Sequence, residues 1–453
     1  MNMFKKTLLA TAVTSVVLAS PVYSQQNINN SSTGQVILYP FYSTENGANT
    51  LVHVSNTTAE AKAVKVRFME GVNSSVVLEY NLYLPAYGTF ASSVSNSDGT
   101  AVATTSTACT VPELGTSNGD YSGTQTEFAS GDILRIQPFV PYQYTTDEDS
   151  GLDRLAVGHV EVIEMGVVDP LVVDVSDCSA VSKLWLSGAW STDSTIGAPS
   201  GGLTGSSVFI NPDDAYSLAI YPTAVDGWAK AGVNYHTGAG TLLPTLDQGV
   251  ATASLWDGSD FVELDYSLNA KGSIMAMSAL MATSVVSGEQ TVESVIAAES
   301  DMVVTFPLKK YFRSTGGDAI APFTTVYDGT KKENKQCEEV SVVSFSRTGE
   351  ATAGSGTFVP EESGIPKFLC DTVNVLRVGD SSALQVEDST KVNSLFESGF
   401  IQLSMEQGFN ADDNKVVVKG LPSIGFNATR IVNGPMSYGY SNQHKTLTVT
   451  SGG

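Results

Sequence analysis

Between residues 64 and 84 apolar side chains recur at every second position, and this period of two constrains the fold more than any other feature. Val64, Val66 and Phe68 alternate with Lys65, Arg67 and Met69; Val76, Leu78, Tyr80, Leu82 and Leu84 then alternate with Glu79, Asn81 and Tyr83. Successive side chains of a strand point to opposite faces, so both segments predict half-buried β-strands. Residues 35–43 and 50–56 flank a loop containing Asn46-Gly47 and read as a hairpin. Pro40 inside the first of these predicts an edge or a bulge. Residues 133–140 and 155–165 continue the pattern. Short strands divided by Ser, Gly, Asn and Asp turns predict a mainly β chain of antiparallel, immunoglobulin-like β-sandwich domains with one or two short helices, not βαβ units.

The predicted organisation is a signal at 1–24, an N-terminal β-sandwich domain at 25–190, a linker at 191–205 and a mainly β domain at 206–453. The linker is chosen for its Ser, Thr and Gly content. Residues 96–130, rich in the same types, read as a surface excursion. A short helix is expected at 176–186, capped by Ser176 or Asp177, and a second at about 273–285. Further strands are expected near Val208 and at 217–221, 261–266, 302–306, 340–345, 372–378, 400–405 and 415–419.

The signal has Lys5 and Lys6 as its positive region, a short apolar stretch at 7–19 and a small-residue cleavage site at Val22-Tyr23-Ser24. That stretch, like the apolar segment at 273–286, is shorter than the ~20 residues of a membrane span. The compact signal suggests a Gram-negative bacterium and export to its surface. Four cysteines in an exported chain predict two disulfides. Metal binding by them is the weaker reading, because no C-x-x-C spacing occurs. Three pairings are open; the sequential one, Cys109–Cys178 with Cys337–Cys370, closes the shortest loops.

Charge narrows the partners. The chain has 24 Lys and Arg against 47 Asp and Glu, a formal charge of −23. A polyanion repels phosphate backbones and anionic headgroups, which excludes nucleic acid and simple electrostatic docking on membranes. Hydrophobic residues make up 42% of the chain, enough to bury a large core.

Catalytic signatures are missing from the sequence. There is no G-x-S-x-G, H-E-x-x-H, Walker A or G-x-G-x-x-G pattern. The histidines are His53, His159, His236 and His444; the first two fall in predicted strands and read as ordinary strand residues. His159-Val160-Glu161 sets two ligand types on one face without a third nearby. Trp185, Trp190, Trp228 and Trp256 could stack on sugar rings, and paired carboxylates keep glycoside hydrolysis formally open. The strongest candidate is calcium. Asp147, Asp149 and Asp153 alternate around a glycine turn, and Ca²⁺ takes six to eight oxygens from such loops. A solvated acidic turn is the competing reading. Asp213-Asp214 and Asp412-Asp413-Asn414 are weaker candidates of the same kind.

Exported, acidic, β-rich chains high in Ser, Thr, Gly and Val resemble bacterial surface-layer proteins, although four cysteines and ten methionines depart from that composition. More locally, the residues from Gly34 to Tyr42 (GQVILYPFY), Val54-Ser55-Asn56-Thr57-Thr58 and Ala61 to Phe68 (AKAVKVRF) are similar to a family of exported S-layer and biofilm-matrix proteins of marine gammaproteobacteria. Asp301 to Pro307 and Gly420 to Phe426 carry the same likeness, which therefore runs nearly the full length. The resemblance implies a structural protein, not an enzyme, that assembles with its own copies, helped by divalent cations and held to lipopolysaccharide or a surface glycan. A secreted carbohydrate-binding or adhesive module is the alternative, and a glycosidase the third reading.

Overall fold

The period-two segments form strands, and all but one of the ladders among the described residues are antiparallel, the exception joining 376–378 to 390–392. A computed structural model describes residues 25–452 except 30, 98, 119–120, 142, 144–149, 192–194, 257, 259, 314–316, 327–335, 352–368, 395, 406, 412–415, 435 and 448–449. The expected signal lies outside the described residues.

In chain order the first half holds β1 (Asn27–Ile28), β2 (Val36–Ser43), β3 (Asn49–Asn56), β4 (Ala61–Glu70), β5 (Val76–Leu84), β6 (Thr89–Asn96), β7 (Thr100–Thr104), β8 (Cys109–Val111), β9 (Ser117–Asn118) and β10 (Tyr121–Ser122). It continues with β11 (Thr124–Glu127), β12 (Ile133–Pro138), β13 (Val157–Val168), helix α1 (Cys178–Leu186), β14 (Ile196–Gly197), β15 (Leu203–Asn211), β16 (Tyr216–Ile220) and β17 (Thr223–Asp226). The second half begins with β18 (Thr252–Trp256), β19 (Phe261–Asp265), helix α2 (Gly272–Met281), β20 (Ala282–Thr283), β21 (Val285–Thr291), β22 (Ala298–Thr305), β23 (Ser341–Ser346) and β24 (Val373–Val378). It ends with β25 (Thr390–Val392), β26 (Ser398–Ser404), β27 (Gly408–Asn410), β28 (Val416–Lys419), β29 (Leu421–Pro422), β30 (Ile424–Asn433), β31 (Met436–Gln443), β32 (Lys445–Leu447) and β33 (Thr450–Gly452).

Two large sheets organise the first half, in the orders β1-β17-β2-β13-β4-β5-β8 and β11-β12-β7-β6-β3-β15-β16. Val64, Val66, Phe68, Leu78, Tyr80, Val160 and Val162 of the first share a core with Val52, Val54, Phe90, Val94 and Val102 of the second. Tyr39 spans that core to donate to the His53 carbonyl at 2.6 Å. Its hydroxyl would lie 2.0 Å from a Cβ at Gly205, so only glycine fits there. In the second half β25-β24-β22-β30-β31 and β23-β26-β21-β32 form separate sheets. Phe41 and Phe209 meet Val303, Val375 and Phe426, so one apolar cluster joins both halves. Helix α2 is buried on every side, in keeping with its mostly apolar residues; Ser273 and Ser278 are its only hydroxyls.

Several expectations change. Strands β2 and β3 are not a hairpin: β2 ladders with β13 and β17, whereas β3 ladders with β6 and β15 in the opposite sheet. Asn46 and Gly47 do adopt positive φ, so the turn is present, but it makes a corner between sheets. A bulge occurs at Pro40, where the β2–β13 register slips between Gly158 and Val160. Residues 96–130 are more than an excursion, since they contain β7, β8 and β11, which ladder with β6, β5 and β12. Their small Thr and Ala side chains hide the strand pattern. Beyond the expected linker, β15 joins β3 and β17 joins β2, so hydrogen bonding carries the first two sheets to Asp226.

The polar face of β4 is the largest departure. Lys65 and Arg67 on that face are buried, not half exposed, and so is Lys62, which the unbroken β4–β5 register sets on the opposite face. Arg67 donates to Glu161 at 2.7 Å and Glu79 at 3.3 Å, and Lys62 to Glu164 at 2.8 Å. The segment 236–243 roofs this face. Its carbonyls accept from Lys65 at Gly238 (3.2 Å), from Arg67 at Leu242 (2.7 Å) and from Asn81 at Thr237 (2.8 Å). Burial lowers the Lys65 amine to about 8, partly offset by Glu79. A charged row can be buried because each charge finds a counter-charge or a carbonyl.

Candidate functional site

Both disulfides take the sequential pairing, Cys109 with Cys178 and Cys337 with Cys370. Cys178 opens α1, whose N-cap Asp177 accepts from the amides of Ser179 and Ala180. The first disulfide therefore ties this helix to β8 at the rim of the first sheet. Two disulfides fit an oxidising compartment such as the cell exterior. Among the described residues no helix is long and apolar enough to cross a membrane.

Of the candidate calcium loop, Asp147 and Asp149 lie outside the described residues. Asp153 is exposed in the 3₁₀ turn Leu152–Ala156. Its charge reaches Glu45, as do those of Glu387 and Asp388, and burial together with these carboxylates raises the Glu45 carboxyl. Glu45 is also fastened by the Glu387 amide at 2.8 Å. Among the described residues no three His, Cys, Asp or Glu side chains converge closely enough to hold a metal. Asp214 pairs with Arg430 at 2.9 Å, and 412–414 lie outside the described residues.

His159 is built into the core and His236 is half-buried. The His159 Nε2 lies 3.0 Å from the Ser74 hydroxyl, which donates to Thr372 at 2.9 Å. Burial, with Lys310 nearby, drives His159 down to about 3 and keeps it neutral. Glu161 is held by Arg67, so His159 and Glu161 do not act as a ligand pair. The Tyr83 hydroxyl joins His236 Nε2 at 2.9 Å and accepts from Trp185 at 2.7 Å, while Trp190 stacks on the Tyr83 ring. Trp228 is buried and donates to Leu246. Trp256, 53% exposed, stands beside Phe261, 64% exposed, where β18 meets β19.

The feature sequence reading missed is the outer face of the seven-stranded sheet. Ladder registers place Thr124 and Thr126 of β11 beside Leu134 and Ile136 of β12, and then Ala101 and Ala103 of β7. Next come Ala91, Ser93 and Ser95 of β6 and Leu51, His53 and Ser55 of β3. Ser206, Val208 and Ile210 of β15 and Ser217 and Ala219 of β16 complete it. In β3, β6, β15 and β16 these positions alternate largely with buried ones, whereas β11 is exposed throughout and β12 mostly half-buried; Ala101 apart, all are half-buried or exposed, and Leu51 keeps 40% of its surface. No carboxylate, ammonium or guanidinium stands among these residues, and His53 is the one titratable side chain. With strands ~4.8 Å apart and ~3.3 Å per residue, the face covers roughly 600 Å². That approaches the ~800 Å² per partner of a standard protein interface.

No protein-family model, curated protein or solved structure matches the chain.

Proposed function

We propose that this chain is a structural protein of the bacterial exterior that associates with its own copies into a surface layer or extracellular matrix array. The observation carrying this reading is the uncharged outer sheet face on a chain of formal charge −23. Two such polyanions repel over most of their surfaces. A broad face of Ser, Thr, Ala, Val, Ile and Leu lets them meet without setting carboxylate against carboxylate. Calcium held by Asp147, Asp149 and Asp153 would lower the remaining repulsion. Lipopolysaccharide or a surface glycan would supply the anchor, and no chemical reaction is required. The resemblance to exported S-layer and matrix proteins points the same way.

A second reading, a carbohydrate-binding or adhesive module, is favoured by the exposed Trp256–Phe261 pair. Electron microscopy of the purified chain with millimolar Ca²⁺ separates the two. Ordered sheets support the layer. Dispersed monomers that bind a glycan array, with Trp256→Ala abolishing that binding, would favour the second reading instead.

A further inference from the structure

We infer that a cavity between the two halves of the chain binds one uncharged sugar residue. The inference deepens the reading above: it rests on the expectation that a surface glycan anchors the chain, and it does not depend on self-association. The cavity has a volume of about 330 Å³, at the small end of ligand pockets, which favour such junctions. Strands β1 and β17 of the first large sheet form one wall, and the C-terminal end of α2 with β20 and residues 423–425 forms another. The end of β31, His444 and β32 complete it.

The lining selects against charge. The chain carries 24 Lys and Arg and 47 Asp and Glu, yet none of these types stands among the described residues of the cavity wall. A phosphate or an acidic sugar would shed water there without meeting a cation, and a metal ion without meeting a carboxylate. Among the described residues, the hydroxyls of Thr223, Ser423 and Thr446 and the amide of Gln443 make no hydrogen bond within the chain. An apolar ligand would cover these groups and leave them unpaired. Tyr221, 56% exposed, adds an aromatic face beside a hydroxyl. His444 brings a buried Nε2 without a partner, which the chain itself does not satisfy. Burial lowers this imidazole to about 4, so it is neutral at pH 7. Gly425 makes room for the ring, since a Cβ there would stand 2.7 Å from its Cε1. Neutral donors and acceptors around an aromatic face match a sugar ring, which presents hydroxyls at its edge and C–H groups on its faces.

Saturation-transfer NMR of the full exported chain reads binding of glucose, galactose, mannose, rhamnose and N-acetylglucosamine, with galacturonic and N-acetylneuraminic acids as charged counterparts. The expected result is binding of at least one neutral sugar and of neither acid. Thr223→Val, which keeps the shape and removes a hydroxyl, and Tyr221→Ala, at an exposed position, should each weaken that binding at least ~tenfold with an unchanged melting temperature. Trp256→Ala should leave it intact. No neutral sugar bound at ~50 mM, equal binding of the acids, or loss in Trp256→Ala with retention in the two cavity variants overturns the site. Vesicles of lipopolysaccharide bearing a neutral polysaccharide test the anchor separately: the bound sugar should compete the chain off them. A chain that binds the sugar in this cavity but not the vesicles keeps the site and overturns the anchoring reading.

Discussion

Replacing Arg67 by methionine tests whether the charged row of β4 is as buried as the fold requires. The guanidinium bonds Glu161 at 2.7 Å, Glu79 at 3.3 Å and the Leu242 carbonyl at 2.7 Å. Methionine fills much of the volume but leaves Glu161 with Lys310 at 3.8 Å as its remaining ion-pair partner, and the roofing segment without the hydrogen bond from Arg67 to Leu242. Removing one partner of a buried ion pair costs about 3–5 kcal/mol, because an uncompensated charge stays behind. Unfolding entropy of ~2 cal/mol/K per residue sums to ~0.9 kcal/mol/K for a chain of this size, so the melting temperature should fall by ~3–6 °C. Arg347→Met is the control. Arg347 pairs with Glu293 but is 65% exposed, and such a pair contributes about 0–1 kcal/mol. Calorimetry and urea unfolding at pH 7 measure both variants. Equal small losses for the two would refute the buried-network account.

Acid should weaken the fold through His159 and His444, both kept neutral by burial, at about 3 and about 4. A folded-state value below the free imidazole's 6.5 means that the stability present above pH 6.5 is lost as pH falls towards those values, by about 1.4 kcal/mol per pH unit for each group. Asp301, raised to about 6 by burial, acts oppositely between pH 6 and 3.8 and cancels one of the two. Burial also raises Glu45, Glu164 and Glu299, which act in the same sense as Asp301, so the readout is a comparison: from pH 7.5 to 4.5 the urea midpoint of His159→Gln should fall less, or rise more, than that of the wild-type chain, and equal pH dependences would contradict a neutral buried His159. Opening the Cys109–Cys178 disulfide, which closes a separation of 69 residues, should cost about 4 kcal/mol by the loop-entropy relation. Urea midpoints of the paired Cys109→Ser, Cys178→Ser variant check this, and no change would show that the bridge does not constrain the unfolded chain.

Strand existence was legible wherever large apolar residues alternated, as in β4, β5, β13 and β22. Helix α1 was legible from its cap. Three things were not. The partner of each strand depends on contacts remote in sequence, so the Asn46-Gly47 turn could not reveal that it led into a different sheet. The exposure of polar strand residues was ambiguous, because alternation marks two faces without saying what covers the second; the roof at 236–243 lies some 170 residues from Lys65 and Arg67. Strands rich in small residues, β6 and β7 among them, gave little hydrophobic signal. The uncharged face was hidden for the same reason, since Ser, Thr and Ala occur in loops, cores and surfaces alike. Its signal is an absence of charge at alternate positions, visible once the registers align seven strands.

Sedimentation equilibrium of the exported chain beside its Leu51→Lys variant at neutral pH tests the central claim most directly. Leu51 lies on the outer face with 40% of its surface exposed, so a lysine there changes fold stability by roughly 0.5 kcal/mol or less while placing a desolvated charge in any face-to-face contact. The account predicts self-association of the wild-type chain at micromolar concentration and a monomeric Leu51→Lys variant with an unchanged melting temperature. A wild-type chain that stays monomeric at millimolar concentration, or a variant that assembles equally well, would contradict it.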